Sequence, residues 1–230
     1  TPFEEQKANF LNKIGVPAFK IASGDIKTIP FLQYIAKLKK PIILSTGASY
    51  LKEVERAVKA IKNTGNKDII LLHCVSNYPA RVEDFNLRAM ITLKNKFKLP
   101  VGISDHTQGT TIPIASVALG AKVIEKHLTI SRKLRGPDHF FAMVPGELKK
   151  MVEEIRKLEK ALGNGIKKPV GYEFKERIGA RRSIYASCDI PPGEIITAQN
   201  LKIVRHAHGI APERINCILG KITKFRIKKD

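Results

Sequence analysis

Ile69-Ile-Leu-Leu-His-Cys-Val-Ser-Asn77 is a short apolar run that ends in polar residues able to do chemistry. Four other stretches end in the same way: Ala18–Gly24, Pro41–Gly47, Val101–His106 and Val123–His127. They begin about every 22 to 32 residues, and a helix-like pattern fills each gap. This spacing predicts repeated strand–helix units, which form a parallel sheet.

The polar strand ends predict a shared site. In parallel sheets, and most clearly in (β/α) barrels, the carboxyl ends of the strands form one face, and that face carries the chemistry. We therefore expect one pocket to gather Lys20, Ser23, Ser45, Asn77, Ser104, His106, Glu125 and His127. Five such strands cannot close an eight-stranded barrel, so an open sheet built from the same units is the alternative.

The periodicity also predicts the element bounds and the domain organisation. Strands are predicted at 18–23, 41–45, 69–75, 101–104 and 123–127, and helices at 4–14, 30–39, 51–63, 85–96, 110–119 and 145–162. Composition changes after Gly165. We interpret 1–165 as one domain, 166–181 as a linker, and 182–230 as a small β-rich domain. Its short strands and turns are predicted at 182–187, 190–194, 195–197 and 201–205, with Pro191-Pro-Gly193 as a turn signal.

Composition limits the class of protein. No apolar run approaches the roughly 18 residues that a membrane span needs. The three cysteines form no CxxC motif, which argues against a disulfide framework and favours a reducing compartment, so we predict a cytoplasmic protein. The net charge of +20 suits an anionic substrate or nucleic acid. Because lysines are spread along helix faces and no aromatic RNA-binding motif is present, nucleic-acid binding is disfavoured.

Side-chain alternation brings two histidines together at the strand ends. Along 101–106, Ser104 and His106 share one face, and along 123–127, Glu125 and His127 do. Imidazole and carboxylate groups bind divalent ions, with Mn²⁺ or Mg²⁺ suited to the carboxylate. The alternative is that each histidine is a hydrogen-bonded residue at a strand end.

Hydroxyl groups beside glycines predict an anion site. Ser23, Ser45 and Ser104 could cradle a phosphate through hydroxyl and backbone N–H groups, and Lys20 would add a positive charge. Ordinary turn and capping chemistry is the alternative. Cys74 could be a nucleophile, but a buried strand cysteine is favoured. In the second domain, metal binding by His206 and His208 has weak support.

Together these motifs resemble the sialic acid (N-acetylneuraminate) synthase family with its carboxyl-terminal SAF, or antifreeze-like, domain. The matching phrases follow the family's order over nearly the whole chain: Phe19-Lys-Ile-Ala-Ser-Gly-Asp25, Ile43-Leu-Ser-Thr-Gly47, Leu72-His-Cys-Val-Ser-Asn-Tyr-Pro79, Gly102-Ile-Ser-Asp-His-Thr107, Glu125-Lys-His-Leu-Thr129, Gly136-Pro-Asp-His139 and Arg182-Ser-Ile-Tyr-Ala186 with Asp189-Ile-Pro-Pro-Gly-Glu194.

The resemblance implies a fold and a reaction. The fold would be a (β/α)8 TIM-barrel-type domain followed by a β-rich SAF domain. The reaction would condense phosphoenolpyruvate with N-acetylmannosamine, or a related N-acetylated amino sugar, to a nine-carbon 2-keto sugar acid and phosphate. The resemblance also implies a domain-swapped homodimer.

The resemblance assigns roles to residues. His106 and His127 would bind the metal, Mn²⁺ first and Mg²⁺ as the alternative, and Glu125 would join them as a catalytic residue. Phosphoenolpyruvate would contact Lys20, Ser23, Ser45, Asn77 and Ser104, with Thr1 as an addition. Tyr78 and Asp138 would contact the sugar, and Arg205 would reach the partner subunit's site.

Two departures from the family pattern qualify these expectations. Thr1-Pro-Phe3 matches the end of the family's third barrel strand, so the first three strand–helix units are expected to be missing. Either the chain is a fragment of a longer enzyme, or it is a non-catalytic remnant that keeps anion binding and dimerisation. Arg205-His-Ala-His-Gly209 stands where the family has Arg-Pro-Gly-x-Gly, which leaves the position of Arg205 open. The choice among sialic, legionaminic and pseudaminic substrates also stays open.

Overall fold

Five short parallel strands organise the first part of the chain. They are β1 (Phe19–Ile21), β2 (Ile42–Ser45), β3 (Ile69–Cys74), β4 (Val101–Asp105) and β5 (Val123–Lys126). Each strand pairs with the next in sequence, so the spatial order is β1-β2-β3-β4-β5. Sequential order is that of a (β/α) barrel rather than a doubly wound sheet. The sheet is curled but open, and β1 and β5 are its two edges. The predicted α/β fold with a partial barrel is confirmed.

Six helices accompany this sheet. They are α1 (Glu5–Lys13), α2 (Ile29–Lys37), α3 (Leu51–Lys62), α4 (Arg88–Phe97), α5 (Thr111–Ala118) and α6 (Pro145–Leu162). In α3, Val54, Ala57, Val58 and Ile61 recur at helical spacing and are buried. The backbone N–H of Tyr50 donates to the Glu53 carboxylate at 2.8 Å, which satisfies a donor at the helix start. All of these strands and helices are close to their predicted bounds.

One face of the sheet carries the core. Leu44, Leu71 and Ile103 are fully buried and pack in a single apolar cluster with helix residues such as Ile35 and Ile61. Because successive side chains alternate, the neighbours of these residues in each strand point to the opposite face. The structure therefore separates an apolar face under the helices from a face that holds the polar strand residues.

Strand register decides which polar residues are neighbours. Ser104 is aligned with Glu125, and Asp105 is aligned with Lys126, so the two pairs lie on opposite faces of the sheet. Cys74 is aligned with Ser104 and shares its face. The predicted alternation along β4 and β5 is confirmed by this register.

The chain divides into two compact units, Thr1–Asn164 and Gly165–Asp230, and the computed structural model describes all 230 residues. The second unit holds α7 (Glu173–Gly179) and an antiparallel pair, β6 (Arg182–Ala186) with β7 (Leu201–Arg205). Helix α7 lies within 166–181, the segment predicted as a linker. None of the helices in the chain is long and apolar enough to cross a membrane.

The short strands and turns predicted over 190–197 are present in part. The segments 190–194 and 195–197 form single bridges, Ile190 with Ile227 and Ile195 with Ile222, rather than continuous strands. The turn predicted at Pro191-Pro-Gly193 is confirmed, and after it the Gly193 N–H donates to the Thr223 carbonyl oxygen at 2.8 Å. Pro191 and Pro192 lack the backbone N–H that a continuous ladder would need.

The backbones of β4 and β5 approach each other closely at Gly102. A Cβ atom at this position would lie 2.9 Å from the carbonyl carbon of Val123 and closer still to its oxygen. We expect Gly102→Ala to lower the free energy of unfolding by about 1–3 kcal/mol or more, because backbone must move to accommodate the methyl group. Guanidinium denaturation measures the change.

The matched control is Gly146→Ala in α6, where nothing lies within 4 Å of the added carbon. It should leave stability unchanged or raise it by up to about 1 kcal/mol, since alanine costs less chain entropy in a helix. Equal stability of the two variants would contradict the close approach.

Candidate active site

Two imidazole rings pack edge to face where β4 and β5 end. The ring centroids of His106 and His127 are 5.2 Å apart, with an interplanar angle of 74°. His106 is buried, and its Nδ1 lies 2.8 Å from the carbonyl oxygen of Val75. A carbonyl can only accept, so Nδ1 carries the proton and Nε2 keeps its lone pair. This is the tautomer in which an imidazole can bind a metal through Nε2.

Aromatic and acidic side chains surround the imidazole pair. The Tyr78 ring lies 4.1 Å from that of His106 and 5.8 Å from that of His127, between centroids. Phe141 packs against His127 with centroids 5.1 Å apart. Asp138 Oδ2 lies 3.5 Å from Nδ1 of His127, so a carboxylate can orient the second ring as the Val75 carbonyl orients the first.

The surroundings of His127 favour its neutral form. Burial lowers the pKa of this imidazole, and the charge of His106 lowers it further, while Asp138 and Glu125 act in the opposite direction. The net pKa lies below the ordinary value for histidine. A neutral imidazole is the form that ligates metals. Burial and the nearby negative charges raise the pKa of Tyr78, so its hydroxyl keeps its proton.

Cys74 contacts His106 from the neighbouring strand β3. Its Sγ lies 3.9 Å from His106 Nδ1. Burial raises the pKa of the thiol, but its polar contacts with His106, Ser23 and Ser104, together with the charge of His106, outweigh burial and bring the pKa below the ordinary value. Burial lowers the pKa of His106, yet Cys74 and the Val75 carbonyl together raise it. The contact between the thiol and the imidazole therefore shifts the pKa of both groups.

His73 belongs to the opposite face of β3. Its Nε2 lies 2.6 Å from the carbonyl oxygen of Phe85, and its ring packs edge-on against the ring of Phe85. Burial lowers its pKa and outweighs the hydrogen bond to this carbonyl. His73 therefore cannot serve as a base for Cys74, even though the two residues are adjacent in sequence.

A lysine, a carboxylate and a hydroxyl meet beside the imidazoles. Lys20 Nζ lies 3.4 Å from Glu125 Oε1, and the Ser104 hydroxyl donates to the same oxygen at 2.7 Å. These residues come from three different strands, β1, β4 and β5. The carboxylate is therefore held from two sides, on the polar face of the sheet.

Three serines surround Cys74 and form what we call the serine cluster: Ser23, Ser76 and Ser104. The backbone N–H of Gly47 donates to Ser23 Oγ at 2.9 Å. A Cβ atom at Gly47 would lie 2.9 Å from both Cys74 Sγ and Ser23 Oγ, and closer to Ser76 Oγ. Glycine at this position therefore lets the β2–α3 loop approach the cluster.

Ser45 has a buried hydroxyl that no protein group satisfies. Its side chain is 2% exposed, and its Oγ has no hydrogen-bond partner. Alternation along β2 places it on the same face as Lys20 and Cys74. Buried hydroxyls normally have partners, so this one is available to a ligand.

The other predicted site residues lie outside this network. Asn77 is exposed, and its side-chain oxygen accepts the backbone N–H of Tyr78 at 3.2 Å. Thr1 is exposed and precedes α1. Arg205 ends β7 in the second unit and is also exposed.

The donor set fits a metal ion only in part. No group of three or more His, Cys, Asp and Glu side chains in the chain is arranged to hold one. Two imidazoles with oriented rings are present, so a divalent ion held here would take its remaining ligands from substrate or water.

Comparison with known proteins identifies the family. Residues 1–167 match the NeuB family, and residues 181–230 match the SAF domain. The chain belongs to the NeuB family. It is 48% identical over all of its length to an uncharacterised protein of Methanocaldococcus jannaschii, and covers 67% of that protein. It is 47% identical to the N,N'-diacetyllegionaminic acid synthase of Campylobacter jejuni, again over its full length and 70% of that enzyme.

A solved structure of a NeuB-like enzyme has the same fold. The N-acetylneuraminic acid synthetase of Leptospira borgpetersenii, in complex with citrate, is 43% identical with a TM-score of 0.71. The alignment covers 76% of this NeuB chain and 61% of that enzyme. The predicted family resemblance is confirmed by these matches.

Sequence reasoning missed two residues of this NeuB site, Phe141 and Ser76, both of which lie in loops. The buried strand cysteine favoured at Cys74 is confirmed, but its contact with His106 depends on the register between β3 and β4. Phe141 had one available signal, an aromatic residue close to the Gly136–His139 motif, but its packing on His127 could not be inferred from that.

The unpartnered hydroxyl of Ser45 can be tested by its effect on stability. We expect Ser45→Ala to leave the free energy of unfolding unchanged or slightly higher, because it removes a buried hydroxyl without a partner. Ser104→Ala should instead cost about 1–2 kcal/mol, because it removes a donor to a carboxylate. Urea denaturation measures the free energy of unfolding of both variants. An equal loss of stability in both would contradict the absence of a hydrogen-bond partner for the Ser45 hydroxyl.

Proposed function

We propose that the chain carries the metal and phosphoenolpyruvate sites of a sialic-acid-synthase-type enzyme. The reaction condenses phosphoenolpyruvate with an N-acetylated amino sugar. C3 of phosphoenolpyruvate bonds to the sugar aldehyde carbon, water adds at C2, and the C–O bond to phosphate breaks. The products are a nine-carbon 2-keto sugar acid and inorganic phosphate.

One observation carries the proposal. The paired imidazoles of His106 and His127 share a sheet face with Lys20, Glu125 and the unsatisfied Ser45 hydroxyl. This combines a cation-binding group with an anion-binding group, which a reaction between an aldehyde and a phosphorylated enol requires. The named relatives, a legionaminic acid synthase and a sialic acid synthetase, support the same class of chemistry.

Nε2 of His106 and of His127 would hold a divalent cation, Mn²⁺ first and Mg²⁺ as the alternative. When bound, such a cation supplies a Lewis acid that polarises the sugar aldehyde. The hydrogen bond from Nδ1 of His106 to Val75 fixes the tautomer that this role needs. The Asp138 carboxylate, 3.5 Å from Nδ1 of His127, favours a similar orientation of the second ring. Asp138 and Tyr78 are proposed to contact the sugar.

Lys20 and the serines would hold the phosphate of phosphoenolpyruvate. The Lys20 ammonium supplies charge, while Ser23, Ser45 and Ser104 supply hydroxyl groups, with Asn77 and Thr1 as further contacts. Glu125 is an acceptor held by Lys20 and Ser104 next to this phosphate site. We assign to it the acceptance of a proton from the water that adds at C2.

The first experiment separates binding from turnover. Isothermal titration of the chain with Mn²⁺ and with phosphoenolpyruvate should show binding of each. Phosphate release is then measured with Mn²⁺, phosphoenolpyruvate and either N-acetylmannosamine or the diacetamido hexose that corresponds to legionaminic acid. Omission of sugar and addition of EDTA are the controls.

Sugar-dependent release that EDTA abolishes supports the enzyme, and the preferred sugar identifies the substrate class. Binding without release for either sugar supports the alternative, a non-catalytic chain that retains the anion site. Absence of both Mn²⁺ and phosphoenolpyruvate binding would contradict the proposal.

Replacing either histidine tests the metal ligands. We expect His106→Ala and His127→Ala to lower Mn²⁺ affinity by more than about 100-fold, because loss of a group that merely orients a ligand already costs about 10–100-fold. His73→Gln is the control, since Gln can still donate to the Phe85 carbonyl and His73 faces the helices. Affinity of either Ala variant close to that of the control would refute the assignment.

Arg205 tests the proposed homodimer. We propose that this exposed arginine reaches the partner subunit's site through a domain-swapped dimer. Arg205→Ala should then lower turnover while sedimentation still gives a dimer mass. Lys221→Ala, at an exposed lysine of the same unit, is the control. A monomeric wild-type chain that retains full turnover would exclude this role.

A further inference from the structure

A buried ion pair lies directly behind the two imidazoles, on the opposite face of the sheet. Lys126 Nζ is 2.7 Å from Asp105 Oδ2, and their side chains are 8% and 0% exposed. Each residue immediately precedes one of the histidines. Asp105 and Lys126 are also register partners, the last aligned pair before the ladder between β4 and β5 ends.

Further hydrogen bonds tie this pair to the backbone after β4. Asp105 Oδ1 accepts the N–H of Thr107 at 2.8 Å, and Lys126 Nζ donates to the Thr107 carbonyl oxygen. Asp105 and Thr107, which make these contacts, flank His106 in the sequence. A shift of β5 relative to β4 would therefore strain both bonds of the lysine, to the Asp105 carboxylate and to the Thr107 carbonyl.

Strand β5 is held to the sheet on one side only. It has four residues, all only partly buried, and pairs with β4 alone because it is an edge of the sheet. On the other face, Ser104 and Glu125 make a second link one residue earlier. The ion pair is thus the last cross-strand contact before His127.

We propose that Asp105 and Lys126 are positioning residues that fix the separation and orientation of the His106 and His127 rings. A buried ion pair is a poor source of stability, because desolvation of the two charges offsets their attraction. Such a pair is useful where a fixed geometry is needed. Here that geometry is the imidazole pair, so the inference deepens the proposed function and rests on it.

The test uses a charge-free double variant, Asp105→Asn with Lys126→Met. The amide oxygen that Asp105→Asn introduces can still accept the Thr107 N–H, and the double variant leaves no buried charge unpaired. Lys126→Met alone should lower stability strongly, because it leaves Asp105 charged and buried. The double variant should recover most of that loss.

The decisive measurement is the proximity of the His106 and His127 rings in the metal-free chain. With selectively labelled histidine, the wild type should give a nuclear Overhauser effect between the His106 and His127 rings. We expect the double variant to lose this cross-peak although its stability has recovered. Mn²⁺ affinity, measured from free Mn²⁺ by electron paramagnetic resonance, should fall by about 10–100-fold.

Lys96→Met is the matched control. It removes the lysine of an exposed pair, with Lys96 Nζ 3.0 Å from Glu55 Oε2, and should change neither the cross-peak nor the affinity. A double variant that keeps the wild-type cross-peak and Mn²⁺ affinity would overturn the inference. A wild type that shows the cross-peak but binds no Mn²⁺ would instead count against the metal proposal alone, since the ring contact is measured without metal.

Discussion

Alternation of side chains along five parallel strands links the core to the site. The residues that pack under the helices, such as Leu71 and Ile103, fix which way each strand faces. A slip of one residue in any strand would exchange its apolar and polar faces. The polar face can therefore hold Cys74, Ser104 and Glu125 in fixed positions because the apolar face admits only one register.

This constraint weakens toward one edge of the sheet. The central strands are covered by helices and neighbours, whereas β5 pairs on one side only and is partly exposed along its whole length. Ile124 packs against the buried apolar cluster that contains Met143, and the Met143 N–H donates to the His127 carbonyl oxygen at 2.9 Å. Polar links on both faces, Ser104 with Glu125 and Asp105 with Lys126, add constraints between β4 and β5 just before His127.

The sequence allowed the strands and their shared face to be predicted, because alternation and apolar runs are local signals. Register is not local, so the alignment of Asp105 with Lys126 could not be predicted. Helix α7 was missed for a different reason. Phe174 and Ile178 are 55% and 50% exposed, so the helix buries no apolar stripe that a sequence pattern would reveal.

The serines of the proposed anion site differ in whether their hydroxyl protons are already used in hydrogen bonds. A hydroxyl donates one hydrogen bond. Ser104 already donates to Glu125, so it can donate to a phosphate only by releasing that carboxylate. Ser23 accepts from Gly47 and also hydrogen-bonds the Cys74 thiol, whereas Ser45 uses neither its proton nor its lone pairs. A phosphate bound at the proposed site would therefore meet Ser45 without breaking an existing hydrogen bond. Contact with Ser104 and Lys20 would instead loosen Glu125, so the proposed function implies that phosphate binding is coupled to the freedom of this carboxylate to accept a proton.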